Sequence, residues 1–295
     1  MEYDPLLIFP IADPHIGSTK GLHPNYIRDG KNWVSVDEHG GWYYKNNENY
    51  YLNSKQKRIW NHFETGINQA AKVREAKKCR ILFMVMGDAI DGDHHQTHEL
   101  VTRNENEQAK TFNQLMLWTF EKIGFEYGRD KLVFIEGTES HTRDNEETIA
   151  QDLGAEKFGK SSCIPFLEVD IQDNLFWFYH HGAAAGYSYN RGSGLYNYLK
   201  RIYTDRRMHS KRPPNFVMTA DKHDREHQTY RHNGHTLDGL VLPPFQDKTR
   251  FVNKLPNAIV NTTKVGFSPV MVENGKVEVL TPYLTEMPLN EVLVW

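Results

Sequence analysis

Five short clusters of carboxylates and imidazoles punctuate this chain: Asp13-Pro14-His15, Gly87-Asp88, Gly137-Thr138-Glu139-Ser140-His141, His180-His181 and Asp221-Lys222-His223. Aspartate and histidine are hard-to-borderline ligands suited to Mn, Fe or Zn. One Asp-x-His says little by itself. Here, however, the clusters follow apolar runs that read as buried strands: Leu6–Ile11, Arg80–Met86, Leu132–Glu136, Leu175–Tyr179 and Asn215–Thr219. In open α/β sheets the carboxyl ends of the strands are where ligands bind. Asp13, His15, Asp88, His181, Asp221 and His223 are therefore expected to converge on one crevice. Two divalent ions ~3.5–4 Å apart need several such ligands and one bridging carboxylate. Asp88 is the candidate bridge, since it follows a buried strand and a glycine. Taken singly, each of these residues would serve equally well as a turn or helix cap.

The elements that must position them can be read from periodicity. Apolar residues at helical spacing predict helices over Ser54–Lys78 and Asn104–Phe125, with others at Asn145–Phe158 and Leu195–Arg206. Phe166–Ile171 and Leu175–His181 read as a hairpin around Asp173-Asn174. After Arg225 the chain is strand-rich, with Gln228–Arg231, Thr236–Leu242, Ala258–Thr263, Pro269–Glu273 and Lys276–Leu280. Asn233-Gly234 and Asn274-Gly275 are strong hairpin turns. Gly17–Asn49 has no clear period, and a loop of that length usually functions or covers something. Residues 17–52 are therefore taken as an insertion, either a substrate lid or a segment packed over the sheet. Residues 228–295 are expected to complete a second sheet.

The 295 residues, without a Pro/Ser-rich linker or repeat, suit a single α/β domain. No apolar run approaches the ~18 residues of a membrane helix, and the start Met1-Glu2-Tyr3-Asp4 lacks a basic signal segment. Two cysteines are too few for a disulfide framework, which points to a reducing cytoplasm. A formal charge of −3 gives no global attraction to nucleic acid or membrane, though a local patch can supply one. Fifteen histidines, several beside acidic residues, fit metal binding.

The order of the clusters resembles that of the calcineurin-like metallophosphoesterase superfamily, recognised by Asp-x-His, Gly-Asp-x-x-Asp, Gly-Asn-His-Glu/Asp, a lone His and Gly-His-x-His. Asp13-Pro14-His15 matches the first motif and Gly87-Asp88-Ala89-Ile90-Asp91 the second. His181 matches the lone His, with His180 as its competitor. The third motif departs: the family Asn, a ligand of the second metal, is missing. Glu139, or Thr138 through its hydroxyl, stands in for it. His141 then resembles the catalytic His near the leaving-group oxygen. In the fifth motif Asp221 replaces the first His and His223 keeps the second, with His227 as an alternate. Gly92 directly after Asp91 departs from the phospho-Ser/Thr phosphatase branch.

The resemblance spans residues 6–227 and by extension the whole chain. It implies a four-layer α/β/β/α sandwich of two mixed sheets flanked by helices. It also implies two divalent ions, manganese first, with Fe, Zn, Ni or Mg as alternatives. Their ligands would be Asp13, His15, Asp88, Glu139, His181, Asp221 and His223. A metal-bridging hydroxide would attack phosphorus in line, and His141 would stabilise the transition state or protonate the leaving alkoxide. The expected enzyme is a hydrolase of the nuclease and phosphodiesterase type. A small-nucleotide phosphatase or phosphodiesterase is the alternative, and a scaffold with a degraded site is the alternative of another class.

Other residues qualify this picture. Asp91 is expected to hold a ligand histidine or cap a turn. His94, His95 and His98 crowd the following loop, as ligand-orienting groups, substrate contacts or plain polar loop. Arg143 is a phosphate clamp or a surface ion pair. Lys200-Arg201, Arg206-Arg207 and Lys211-Arg212 lie near Tyr187, Tyr189, Tyr196, Tyr198 and Tyr203. Cations interleaved with aromatics suit a nucleic-acid backbone and unstacked bases; a solvated helix face explains them as well.

Overall fold

In the computed structural model, residues 3–45, 49–93, 98–142, 144–181, 193–249 and 263–287 are described. The strands are β1 (Leu6–Ala12), β2 (Tyr26–Asp29), β3 (Asn32–Ser35), β4 (Arg80–Met86), β5 (Lys131–Ile135), β6 (Cys163–Ile164), β7 (Phe166–Ile171), β8 (Asn174–Tyr179), β9 (Phe216–Thr219), β10 (Glu226–His232), β11 (His235–Val241), β12 (Lys264–Phe267), β13 (Val270–Glu273), β14 (Lys276–Val279) and β15 (Tyr283–Glu286). The helices are α1 (Val36–His39), α2 (Ser54–Lys77), α3 (Glu105–Ile123), α4 (Glu139–Thr142), α5 (Asn145–Asp152) and α6 (Ser193–Met208).

Alternation along the strands builds the layers. In β1, Leu7, Phe9 and Ile11 point one way and Ile8 and Ala12 the other; β4 divides likewise into Ile81, Phe83 and Val85 against Leu82, Met84 and Met86. The first set packs on α2, α3 and α5 through Phe63, Ile67, Phe112, Leu115 and Ile149. The second set meets Phe176, Phe178, Phe216, Met218 and Leu240 of another sheet. The outer face of that sheet, with Tyr179, Val217, Leu237 and Val241, receives Leu195, Leu199 and Ile202 of α6. The result is an α/β/β/α sandwich, the architecture expected from the sequence. Burying each large apolar side chain in these layers contributes ~1.5–3 kcal/mol.

The first sheet runs β14-β13-β1-β4-β5-β6 and the second β10-β11-β9-β8-β7. β1, β4, β5 and β6 are parallel, with β13 antiparallel to β1; β8, β9 and β11 are parallel, with β7 and β10 antiparallel at the edges. Both sheets are mixed, and their parallel strands end at a common edge. The pairing of β1 with β13 stops at Ile8, two residues before Pro10, which has no N–H to give a ladder.

Several expected boundaries shift. The turn between β7 and β8 is Gln172-Asp173, one residue earlier than expected, because both residues take the positive φ of 50° and 66° that a tight two-residue turn needs. The helix expected over Asn145–Phe158 ends at Asp152; Gly154, at φ 67°, turns the chain away. Residues 228–295 do not all join the second sheet. β10 and β11 do, whereas β13 and β14 extend the first, and β12 and β15 pair separately. The strand expected at Ala258–Thr263 falls mostly outside the described residues.

The 17–52 segment forms a hairpin (β2 and β3), a helical turn and an aromatic cluster rather than a featureless loop. Trp42, Tyr44 and His23 are buried, and Tyr44 Oη bonds His23 Nε2 (2.8 Å) and Thr111 Oγ1 of α3 (3.1 Å). It thus packs on the helices of the first layer. No helix among the described residues is long and apolar enough to cross a membrane.

Candidate metal centre

The parallel strands deliver the polar clusters to one place. Beyond the strand ends, the β1 and β4 loops zip together: Asp13 N donates to Gly87 O, His15 N to Asp88 O and Ile16 N to Ala89 O. The second sheet joins them through Asp221 N, which donates to Asp13 Oδ2 (3.3 Å), and through His180, whose Nε2 lies 2.7 Å from Asp13 Oδ1. The approach is close. A Cβ on Gly87 would lie 2.3 Å from the His180 ring, and one on Gly137 would lie 2.2 Å from Asp88 N. Only glycine leaves room at either position.

Asp13, His15, Asp88, Asp221 and His223 all adopt left-handed φ, at 47°, 44°, 49°, 69° and 50°. Such conformations cost on the order of 1–3 kcal/mol each and persist where the surroundings over-determine them. Five in one cluster mark a site built for something other than stability.

The side chains form two halves. In the inner one, Asp13, His15 and His223 can converge on a single point, and His15 Nε2 also lies 3.6 Å from Asp88 Oδ2. His15 Nδ1 donates to Asp91 Oδ1 at 2.9 Å, which leaves the lone pair on Nε2. That atom is buried and has no hydrogen-bond partner among the described residues. Burial, helped by the neighbouring His141 and His223, holds the His15 pKa well below the usual imidazole range. A neutral ring with an orphaned, inward-facing lone pair fits a metal ligand.

Asp88 connects the halves. Its Oδ1 accepts from Thr138 N (2.6 Å) and its Oδ2 from Thr138 Oγ1 (3.1 Å). Burial pushes its carboxyl up to about 7; the Asp13 carboxylate adds to this, while His180 and the Thr138 hydrogen bonds pull it down. Burial opposes ionisation of Asp13 too, but His180, His223 and His15 hold its pKa below the usual carboxylate range. His180 is raised to about 9, because Asp13 and Asp88 outweigh its burial. Two close, buried carboxylates with imidazoles around them fit divalent cations, whose charge would offset the repulsion.

In the outer half His181, Asp221 and Thr138 meet. His181 Nε2 lies 3.7 Å from Asp221 Oδ1 and 3.4 Å from Thr138 Oγ1. Of the two candidate ligands Thr138 and Glu139, Thr138 is therefore inside the site, and Glu139 is exposed on α4, in none of the ligand clusters among the described residues. His180 sits deeper, bonded to Asp13 and, through Nδ1, to His181 Nδ1 at 3.0 Å. His227 lies apart on β10, 3.7 Å from Asp238.

His141 stands beside the inner half, its ring 4.8 Å from that of His15. Its Nδ1 donates to the Asp91 carbonyl (2.9 Å), so Nε2 is the atom through which it can exchange a proton with a ligand. Asp91 is thus an orienting residue for two histidines. His98 is exposed; His94, His95 and Arg143, like Tyr187 and Tyr189, lie outside the described residues. On α6, Lys200, Arg201 and Arg207 are exposed. Arg206 instead lies over the Trp177 ring and pairs with Glu168 (3.2 Å).

Two residues of the site carry no signal in spacing or motif. Glu146, fully buried on α5, accepts from Ala89 N (3.0 Å) and Gly137 N (2.7 Å), so it ties the loop of Asp88 to the loop of Thr138. Burial, reinforced by Asp88, raises its pKa to about 7. Gln246, also buried, donates from Nε2 to Asp91 Oδ1 (3.3 Å).

No protein-family model matches the chain, and no curated protein matches it. Among solved structures it is similar to Vps29 complexed with Zn²⁺ from Entamoeba histolytica, at 10% identity and a TM-score of 0.36, over 94% of this chain and 99% of that one. It is similar to a conserved uncharacterized protein, described as a predicted phosphoesterase, from Streptococcus pneumoniae, at 9% identity and 0.33, over 97% and 98%. A third is a 5′-nucleotidase precursor from Thermus thermophilus, at 10% identity and 0.41, over 96% of this chain and 54% of that one. The chain thus spans about half the length of the last. Likenesses of this strength carry no argument about activity.

Proposed function

We propose that this chain is a two-metal phosphoesterase whose substrate is a phosphodiester, with nucleic acid as the preferred class. The observation that carries the reading is the buried Nε2 of His15, which has no hydrogen-bond partner among the described residues and sits in a cluster with Asp13, Asp88 and His223. Asp13, His15, His223 and Asp88 would hold the inner ion; Asp88, Thr138, His181 and Asp221 would hold the outer one. Divalent ions bound there lower the pKa of water and offset phosphoryl charge.

The chain's own groups do the rest. Asp91 fixes His141 through Nδ1 and so turns Nε2 toward the ligand side. The imidazolium form of His141 donates its Nε2 proton to the leaving oxygen as the P–O bond breaks, and the neutral ring is reprotonated from solvent after the product leaves. Gly87 and Gly137 keep the loops close enough for Asp88 to serve both halves.

Support for a nucleic-acid backbone comes from Lys200, Arg201, Arg207 and Lys211, exposed on and after α6, with Tyr196 exposed near the helix start. Arg206 and Arg212 add nothing to it, since Glu168 and Asp170 pair with them. Manganese-dependent hydrolysis of bis-p-nitrophenyl phosphate, beside p-nitrophenyl phosphate and labelled DNA, tests the reading. Diester and DNA cleavage support it, and turnover of the monoester alone transfers the preference to a phosphatase on small nucleotides. Absence of any metal-dependent turnover leaves the chain a binding protein.

A further inference from the structure

The Asp91 carbonyl that accepts from His141 Nδ1 belongs to the same peptide unit as the Gly92 N–H. That N–H donates to Oε1 of Gln108 at 2.8 Å. Gln108 is fully buried near the start of α3, and its Nε2 donates to the carbonyls of Thr102 (2.8 Å) and Gly92 (3.3 Å). The whole amide is thus committed to the β4 loop. Two carbonyls facing Nε2 leave one orientation for it, with Oε1 toward Gly92. The backbone is shaped around this contact. Gly17, at φ 104°, lies against the Gln108 amide, where a Cβ would come within 2.3 Å of Cδ. Gly92, at φ 70°, lies against the backbone of His141, where a Cβ would sit 2.2 Å from the carbonyl oxygen.

We infer that Gln108 is a positioning residue for His141: it holds the Asp91–Gly92 peptide so that the carbonyl meets Nδ1 and Nε2 faces the ligand. This rests on the role given to His141 above. The bonds run in series, from His141 Nδ1–H to Asp91 C=O and from Gly92 N–H to Gln108 Oε1. Hydrogen bonds joined through one peptide polarise each other, so the bond at Oε1 makes the carbonyl a better acceptor. It also stops the peptide from turning away, and a ring displaced by ~1 Å can cost ~10²-fold in rate. No proton passes through Gln108. The proton that moves is the one on His141 Nε2, and Gln108 keeps the ring aimed.

An acid matters most where the leaving oxygen would otherwise depart as a basic anion. The experiment therefore compares kcat on a phenyl ester with kcat on the matching p-nitrophenyl ester, whose anion is far less basic. The esters are phosphate diesters or monoesters, whichever the whole, manganese-loaded protein turns over. Gln108→Leu removes the amide, and Gln108→Asn withdraws it by one methylene. Each should keep the wild-type metal content and KM. Each should lower kcat by up to ~10²-fold on the phenyl ester and by less on the p-nitrophenyl ester. In a His141→Ala background the same substitutions should cost nothing further. A loss that is equal on both esters, or that persists in full beside His141→Ala, makes Gln108 a brace of the fold. It overturns the inference and leaves the two-metal reading standing. So does an unchanged kcat, or the loss of metal or of the fold in both variants. A wild type without metal-dependent turnover overturns both.

Discussion

Asp91 illustrates how one residue can set two proton positions. Its carboxylate accepts a hydrogen bond from Nδ1 of His15, and its backbone carbonyl accepts one from Nδ1 of His141. The Nε2 atoms of both rings are thereby assigned to the ligand side, one to hold metal and one to move a proton. The two roles separate on mutation. His141→Ala removes the proton donor without touching Asp13, His15 or His223. It should lower kcat by ~10²–10⁴-fold and leave metal content at the wild-type value. Turnover retained in that variant, with metal bound, rules out the role. Asp91 was legible in the sequence because Gly87–Asp91 is a compact motif. Gln246, which donates to the same Asp91 oxygen as His15, was not, because it acts through a second residue and lies far away in the chain.

At the scale of elements, the site depends on how loops are tied to the layers beneath them. Glu146 on α5 binds the backbone of the β4 loop and the β5 loop at once. Glu146→Ala orphans the buried N–H of Ala89, at a cost of ~1–3 kcal/mol, and the half-buried N–H of Gly137, at a smaller one. Urea unfolding of the metal-free protein should show that loss; an unchanged midpoint contradicts the tie. Backbone ties leave no trace in periodicity, which is why this residue escaped the sequence reading while the strands and long helices did not.

The 17–52 segment is tied down by His23, which is buried on Tyr44 and Trp42. Burial lowers its pKa to about 4 from 6.5, its Pro24 carbonyl contact opposing weakly. Its folded pKa lies below its unfolded one, so the unfolded state binds more protons between those values. Stability contributed by neutral His23 is therefore present above pH 6.5 and lost as pH falls toward 4. Going from pH 7 to pH 5 should cost ~2 kcal/mol. His23→Gln cannot titrate, so its unfolding free energy should change less over that interval, measured by urea denaturation at the two pH values. A wild type and variant that lose stability equally would exclude His23 as the cause.

For the whole molecule, an α/β core joined by a second sheet was legible in the order of strands and helices, and the four-layer sandwich followed only from the resemblance carried by the motifs. The routing of β13 and β14 to the first sheet was not legible, since strand pairing partners depend on contacts far apart in the chain. The same limit applies to the basic stretch after Tyr196. In sequence it is one run of cations; in the fold it divides. Arg206 and Arg212 brace the β7–β8 edge through Glu168, Trp177 and Asp170, whereas Lys200 and Arg201 face solvent. Only cations free to meet phosphates release counterions on binding, each contributing ~0.7–0.9 to the slope of log K against log[salt]. Binding of single-stranded DNA to the His141→Ala protein, measured across salt concentrations, separates the two groups. Lys200→Ala with Arg201→Ala should flatten the slope by ~1.4 for a single strand. Arg206→Ala should leave the slope alone and instead lower the unfolding midpoint, because it strips the cation from Trp177 and Glu168. A slope unmoved by the Lys200 and Arg201 changes removes α6 from the substrate path and returns the preference to a small nucleotide.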